Sequence, residues 1–331
     1  MERLTCNGTY LTDKGFEGCE RNLVDIGRAA LRTSLNLLSN TIFSKDLTDP
    51  FSDSAKQLAL NIMVEGGKPN LVDYFPFLQK IDPQGSKLDD NEHLRTKKIQ
   101  KLIDYCHMSS KVGEAVDYCH MRCYTSKFYR ACFVAGTDTT SNTLEWAMAE
   151  LLKNPHTLKK VQEELAQVIG RGKLINEAHV AQLPYLRCIV IETFRIHPPV
   201  HFLIPRKAEE DVDFCGYIIP KDSQVLVNVW AIRRDSNIWE GALDFKPERF
   251  WESKIDVRGR DFELILFGAG RIICPGLPLA IKMVPVALCS ILNTFNWKLH
   301  GGIAPKILDM EEKFGITLAK AQPLLAIPIP L

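Results

Sequence analysis

With 331 residues, 46% of them hydrophobic, the chain is long enough to bury one large core. Its 41 Lys and Arg against 40 Asp and Glu leave a net charge of +1, which excludes the basic excess on which nucleic-acid binding draws. Ten cysteines without regular spacing, behind a Met1–Lys14 stretch too polar for a secretory signal, are expected to be reduced thiols in a cytosol-facing compartment.

No window of the roughly 18–20 apolar residues that a membrane span needs is expected. Cys119 and Cys123 bracket His120 and Met121, but a single Cys-x-x-x-Cys lacks the second pair that a structural zinc site uses. Gly136 to Thr143 are eight successive mediocre or poor helix formers that join Phe133-Val134-Ala135 to the amphipathic run Leu144–Leu152. Two readings fit. One is an ordinary helix start, with Asn142 as N-cap and Glu145 completing a capping box. The other is a long distorted helix in which side-chain oxygens replace backbone hydrogen bonds and open a groove.

His156 to Ile169 has the apolar spacing of an amphipathic helix. In IVIETFRIHPP, Glu192 and Arg195 stand one helical turn apart on one face, among Ile189, Val190, Ile191, Phe194 and Ile196. A buried pair of this kind needs a third partner, and Arg249 in FKPERF can supply it. Val212–Ile219 and Gln224–Val229 read as a strand pair joined by Pro220-Lys221-Asp222.

Phe267 to Gly276 reads FGAGRIICPG, a cysteine in a glycine-rich loop followed at once by an apolar helix with Pro275 and Pro278 at its start. A thiolate at Cys274 would be stabilised there by the positive end of the helix dipole, an arrangement suited to ligating haem iron. Gly268, Gly270 and Gly276 have no Cβ and let the backbone turn sharply against a flat macrocycle. A lone cysteine in an apolar stretch is otherwise an inert core residue, so the reading depends on Phe267, the glycines and the basic Arg271 at these offsets.

These ten residues resemble the haem-binding signature of the cytochrome P450 monooxygenases, Phe-x-x-Gly-x-Arg-x-Cys-x-Gly. Phe267, Gly270, Cys274 and Gly276 fall on the pattern, Ile272 stands at the arginine position, and Arg271 sits one residue early. Glu192, Arg195 and Arg249 match the family's Glu-x-x-Arg plus Pro-Glu-Arg-Phe triad, which is similar to a structural lock behind the haem. AGTDTT, Ala135 to Thr140, resembles the oxygen-binding helix. The resemblance implies that Gly136 leaves room for dioxygen, that Thr139 hydrogen-bonds it and that Asp138 relays protons from water, with Cys274 as the axial thiolate whose electron donation favours O–O cleavage. It also places Arg206 at a position that contacts a haem propionate.

The likeness runs from about Phe133 to Leu331, and its wording is similar to plant enzymes of the geraniol hydroxylase group. It implies a mainly α fold with a small β region, a partial P450-like fold, with haem as cofactor and residues 127–331 as the catalytic core. The implied reaction is hydroxylation of a small apolar molecule such as a monoterpenoid alcohol, using O2 and electrons from an NADPH-cytochrome reductase. The implied place is the cytosolic face of the endoplasmic reticulum membrane, although this chain lacks the family's anchor and is read as cytosolic without it. Phe133–Ala135, Val200–Leu203 and Phe314–Thr317 would bound the substrate, with His201 where relatives carry proline.

Residues 1–126 resemble a partial N-terminal helical region in altered order. Asn22–Gln84 is similar to the family, whereas Leu94–Asp117 resembles a segment that in the family precedes the stretch near Val24. Asp-Tyr-Cys-His-Met occurs twice, at Asp104–Met108 and Asp117–Met121, as expected of a rearranged gene or gene assembly rather than of a stacked repeat. The first tryptophan is Trp146, so the family's tryptophan-and-arginine helix has no counterpart. The rival expectation is therefore a catalytically inactive, haem-poor product.

Overall fold

The computed structural model describes residues 23–43, 118–173, 175–313 and 315–331. The expectations for Met1–Lys14, for the transposed Leu94–Asp117 segment and for the first copy of the repeated pentapeptide lie outside the described residues. So do Phe314 and the side chains of Phe133 and Val134. The chain divides into two compact units: 30–141 forms one, and residues up to 29 with 142–331 form the other.

In chain order, β1 (Val24–Asp25) leads into α1 (Ile26–Phe43), and α2 spans Tyr118–Lys153. α1 and α2 each contribute residues to both units. In the larger unit follow α3 (Pro155–Val168), α4 (Glu177–Val180), α5 (Pro184–Ile196), β2 (Arg206–Lys207), β3 (Val212–Phe214), β4 (Tyr217–Ile219), β5 (Gln224–Val225) and α6 (Val229–Ile232). The chain ends with α7 (Leu277–Thr294), β6 (Phe295–Leu299), β7 (Glu312–Lys313), β8 (Ala319–Lys320) and β9 (Leu325–Pro330). The fold is mainly α with a small β component, as expected.

Helix starts follow local chemistry. Pro155 and Pro184 open α3 and α5, where a missing N–H costs nothing. Glu164 of α3 then accepts from the free amides of Tyr185 (2.7 Å) and Leu186 (2.9 Å), capping α5 from a neighbouring helix. α3 buries Thr157, Val161 and Leu165 at a four-residue spacing, the stripe expected of His156–Ile169. α5 is buried almost all round and packs against α3, α7 and the 3-10 turn Pro247–Phe250.

One open alternative closes and two expectations change. α2 runs unbroken through Gly136–Thr143, so Asn142 is no N-cap; its side chain donates instead to Thr317 Oγ1 at 3.3 Å. The hydroxyls of Thr139 and Ser141 bond back to the carbonyls of Ala135 (2.6 Å) and Asp138 (3.0 Å), so their polar atoms are satisfied within the helix. Val212–Ile219 is not one strand. It folds on itself as the β3–β4 hairpin over Cys215-Gly216, whose φ values of 54° and 82° match the two-residue turn that hairpin twist favours. β5 pairs with β2 instead, and Val229 belongs to α6. Finally, α7 is 18 residues long and apolar enough to reach the composition of a membrane span, contrary to expectation. Half of it is buried in the core, where Met283, Val284, Ala287, Leu288 and Leu292 pack.

The principal sheet has the order β1-β9-β6, all antiparallel. β1 reaches only Leu325 and Ala326 of β9, whereas β6 follows β9 to its end, with Trp297 opposite Pro328 and Phe295 opposite Pro330.

Candidate functional site

The lock behind the cysteine loop forms around one carboxylate. Arg195 is a turn away on α5 and meets Glu192 through Nε (2.8 Å) and Nη2 (2.9 Å), both side chains having no exposed surface. Arg249 Nε (3.0 Å) and the Lys246 amide (2.9 Å) also donate to Glu192 Oε1. The remaining guanidinium hydrogens go to carbonyls. Arg195 reaches those of Arg233 (2.7 Å) and Ala242 (2.8 Å), and Arg249 those of Glu240 (2.9 Å) and Gly241 (3.2 Å). Trp239 lies against both cations, 5.3 Å from Arg195 and 6.0 Å from Arg249. The predicted triad is therefore assembled, and it fixes the meander 240–250 to α5.

A second buried arginine was not legible as a site residue. Arg233 has no exposed surface and donates to the carbonyls of Phe194, Leu264 (3.2 Å) and Ile265. It thus binds the end of α5 to the chain entering the cysteine loop. Burial, reinforced by the Arg195 charge, pulls its pKa down to about 9. The sequence signal was only a doubled arginine after α6.

The loop itself is closed by the Cys274 amide, which donates to the Phe267 carbonyl at 2.8 Å. Inside this closure Gly268 and Gly270 take φ values of +72° and +67°, which side-chain-bearing residues rarely adopt. The Phe267 ring meets Phe194 of α5 edge-on at 6.0 Å, so the lock helix also supports the loop. Gly276 is the residue before α7, and a Cβ there would stand 3.5 Å from Cys274 Sγ.

Cys188, Cys215, Cys274 and Cys289 are free thiols. Cys188 and Cys289 are buried, and burial pushes the Cys289 thiol up to about 12, so it stays protonated and inert. Cys215 and Cys274 are exposed, and of these four only Cys274 lies in a glycine-rich turn at the N-terminus of a long helix. An accessible sulfur of this kind, with Gly276 leaving the space beside it clear, is the donor that a haem iron takes as thiolate, and these residues fit the cofactor.

The cationic side chains expected near a macrocycle edge are exposed. Arg271 lies in the 3-10 turn Gly270–Ile272, Arg206 lies on β2, and the Ile272 side chain at the signature's arginine position is 56% exposed. In the smaller unit, Asp138 and Thr139 are half-buried on α2, and a Cβ on Gly136 would meet Leu38 of α1 at 3.2 Å. Of the expected substrate wall, His201 is buried beside Phe202, with ring centroids 4.7 Å apart, and burial lowers the pKa of its ring.

The chain matches the family model for Cytochrome P450 over residues 11–325. It is 60% identical over 330 aligned residues to geraniol 8-hydroxylase of Catharanthus roseus and 60% identical over 327 to geraniol 8-hydroxylase of Swertia mussotii. Each alignment covers 93% of this chain and 66% of the relative, so the chain spans about two thirds of the length of these curated relatives. It is also 47% identical over 351 residues to a geranylhydroquinone 3''-hydroxylase of Arnebia euchroma, covering 97% of this chain and 69% of that protein.

Proposed function

The chain belongs to the cytochrome P450 family, and from that premise we propose that it is a haem-dependent monooxygenase that hydroxylates a small apolar substrate such as a monoterpenoid alcohol. Relatives named for geraniol and geranylhydroquinone hydroxylation support this substrate class. O2 is the co-substrate, an NADPH-cytochrome reductase delivers the electrons, and the cytosolic face of the endoplasmic reticulum membrane is the place of action.

The carrying observation is the exposed Cys274 sulfur in a closed glycine turn at the start of α7. When bound, the haem supplies the redox chemistry by which dioxygen is activated. Cys274 holds the cofactor as thiolate; Phe267, Gly270 and Gly276 shape the turn that aims the sulfur. Arg271 and Arg206 offer charge to the propionates, which Ile272 cannot. On α2, the Asp138 carboxylate would take protons from water and hand them on, and the Thr139 hydroxyl, which donates to the Ala135 carbonyl in this structure, would be the donor for oxygen chemistry when haem is bound. Gly136, one turn away, allows the close approach of Leu38 of α1. In the larger unit, Val200–Leu203 and Gly315–Thr317 would orient the substrate and exclude water, and residues 127–331 make up the catalytic core.

A second reading is favoured by one observation: an exposed isoleucine stands where the signature has its arginine, so the product binds haem poorly and is inactive. The spectrum of the reduced carbon monoxide complex separates the two. A red-shifted thiolate band, lost in Cys274→Ser, supports the monooxygenase; a purified chain without haem absorbance supports the second reading.

A further inference from the structure

Where α5 ends, His197 enters a buried cluster that neither the lock nor the cysteine loop uses. Its ring is sandwiched flat on Trp146 of α2, with centroids 3.9 Å apart and planes within 5°. Nε2 lies 2.8 Å from Glu150 Oε1, and Nδ1 lies 3.5 Å from Glu312 Oε1 on β7. Nε2 is thus within hydrogen-bond reach of Glu150, whereas Nδ1 only faces the Glu312 carboxylate without a hydrogen bond. Glu312 is in turn held by Arg234 and by Trp230 Nε1 (2.9 Å), with the Arg234 guanidinium stacked 4.2 Å over the Trp230 ring. Burial acts to raise the Glu312 pKa, but the His197 and Arg234 contacts hold it below the ordinary carboxylate range. Lys320 Nζ, 4.9 Å from the centroid of the Trp146 ring, adds a further cation.

The two tryptophans of this cluster each grip one of two loops, 198–203 and 315–318. The Trp146 indole donates to the Leu318 carbonyl (3.1 Å), and the Leu318 amide donates to the Pro199 carbonyl (2.9 Å). The Trp230 amide donates to the His201 carbonyl (3.3 Å), and Asn142 reaches Thr317 (3.3 Å). His197 precedes the first loop directly in sequence, and Glu312 precedes the second.

We propose that His197 is a positioning residue that keeps loops 198–203 and 315–318 in register, so that a buried charge cluster sets the shape of the substrate wall. This rests on the proposed function for the meaning of the loops as a wall, while the register itself does not depend on it. Histidine is suited to the place because it combines a flat ring for Trp146 with two opposed nitrogens for two carboxylates. Phenylalanine would keep the stack but leave both carboxylates facing an apolar ring. Glutamine would keep one donor and lose the stack.

The test is hydrogen–deuterium exchange on the full chain, followed by geraniol titration of the haem-loaded protein. In His197→Gln, amides of 199–203 and 315–318 should exchange at least tenfold faster while those of α7 keep their wild-type protection. Geraniol should bind about tenfold more weakly and give a broader mixture of hydroxylated isomers, with the thiolate band unchanged. Wild-type exchange in the two loops, or an equal rise in α7, overturns the proposal. If His197→Gln does not fold, Glu312→Gln must produce the same loop-confined exchange in weaker form, and its failure to do so is equally fatal. A wild-type chain with no thiolate band would sink the proposed function and leave the exchange result to decide the role of His197.

Discussion

Gly259 lies directly against the carbonyl of Gly268: a Cβ built on residue 259 would stand 2.6 Å from that oxygen, and the backbone there has φ +77°. The cysteine loop therefore leans on a glycine outside its own signature. Alanine at 259 must adopt a left-handed backbone, at about 1–2 kcal/mol, and must also displace the Gly268 carbonyl. Gly259→Ala should keep the wild-type far-ultraviolet circular dichroism while haem bound per chain falls severalfold. Wild-type haem content would show that the loop has slack at this point.

Glu192 carries the only carboxylate among the described residues that bonds Arg195 and Arg249. Glu192→Gln removes the charge and leaves two guanidiniums facing each other in the core. A loss of about 3–5 kcal/mol is expected, the usual cost of breaking a buried ion pair from one side. Urea denaturation followed by tryptophan fluorescence reads it, and a loss under 1 kcal/mol would mean that the backbone carbonyls suffice.

The exposed Ile272 side chain can be replaced without disturbing packing, so Ile272→Arg should change stability by no more than about 0.5 kcal/mol. Its expected gain is in cofactor retention: the haem dissociation half-time, measured by transfer to apomyoglobin, should lengthen. An unchanged half-time would mean that Arg271 or Arg206 already holds the propionates.

Glu145 supplies the pH dependence. Burial raises its pKa above the ordinary carboxylate range, the Asp25 charge adds to this, and the Leu324 amide (2.9 Å) and Lys320 only partly offset it. The folded chain thus binds this proton more tightly than the unfolded chain. Its contribution to stability is complete below the unfolded carboxylate pKa and is lost as pH rises through the raised folded value. Glu145→Gln keeps an acceptor for the Leu324 amide and should flatten that decline. Melting temperatures across the weakly acidic range would show it, and parallel curves for the two proteins would refute it.

The lock and the cysteine loop were legible because their chemistry is local in sequence. Two opposite charges three residues apart among β-branched and aromatic residues have to be buried together, and a cysteine among glycines before an apolar run has to sit at a helix start. The hairpin was misread because its turn, Cys215-Gly216, has no proline or asparagine to mark it, whereas Pro220-Lys221-Asp222 looks like a turn and only leads from β4 to β5. Asn142 looked like a cap because its true partner, Thr317, arrives from the other end of the chain. Gly259, Arg233 and His197 had no signal beyond their identity, since each acts on groups that only the tertiary fold brings near. A histidine before two prolines reads as a helix end, which His197 also is.

The last strand limits its own growth. The Leu331 amide turns toward α7's end at Thr294, so the alternate positions 328 and 330 direct their main chain away from β6, past the reach of β1. Both are proline, and that side of β9 therefore carries carbonyl acceptors without a single N–H to match them. A foreign strand laid along it would forfeit its own acceptors' partners at every second residue. The chain's end is consequently a poor template for sheet-to-sheet association, and crowding of the purified protein should drive clumping elsewhere, through exposed apolar side chains such as Phe214 and Tyr217 of the hairpin.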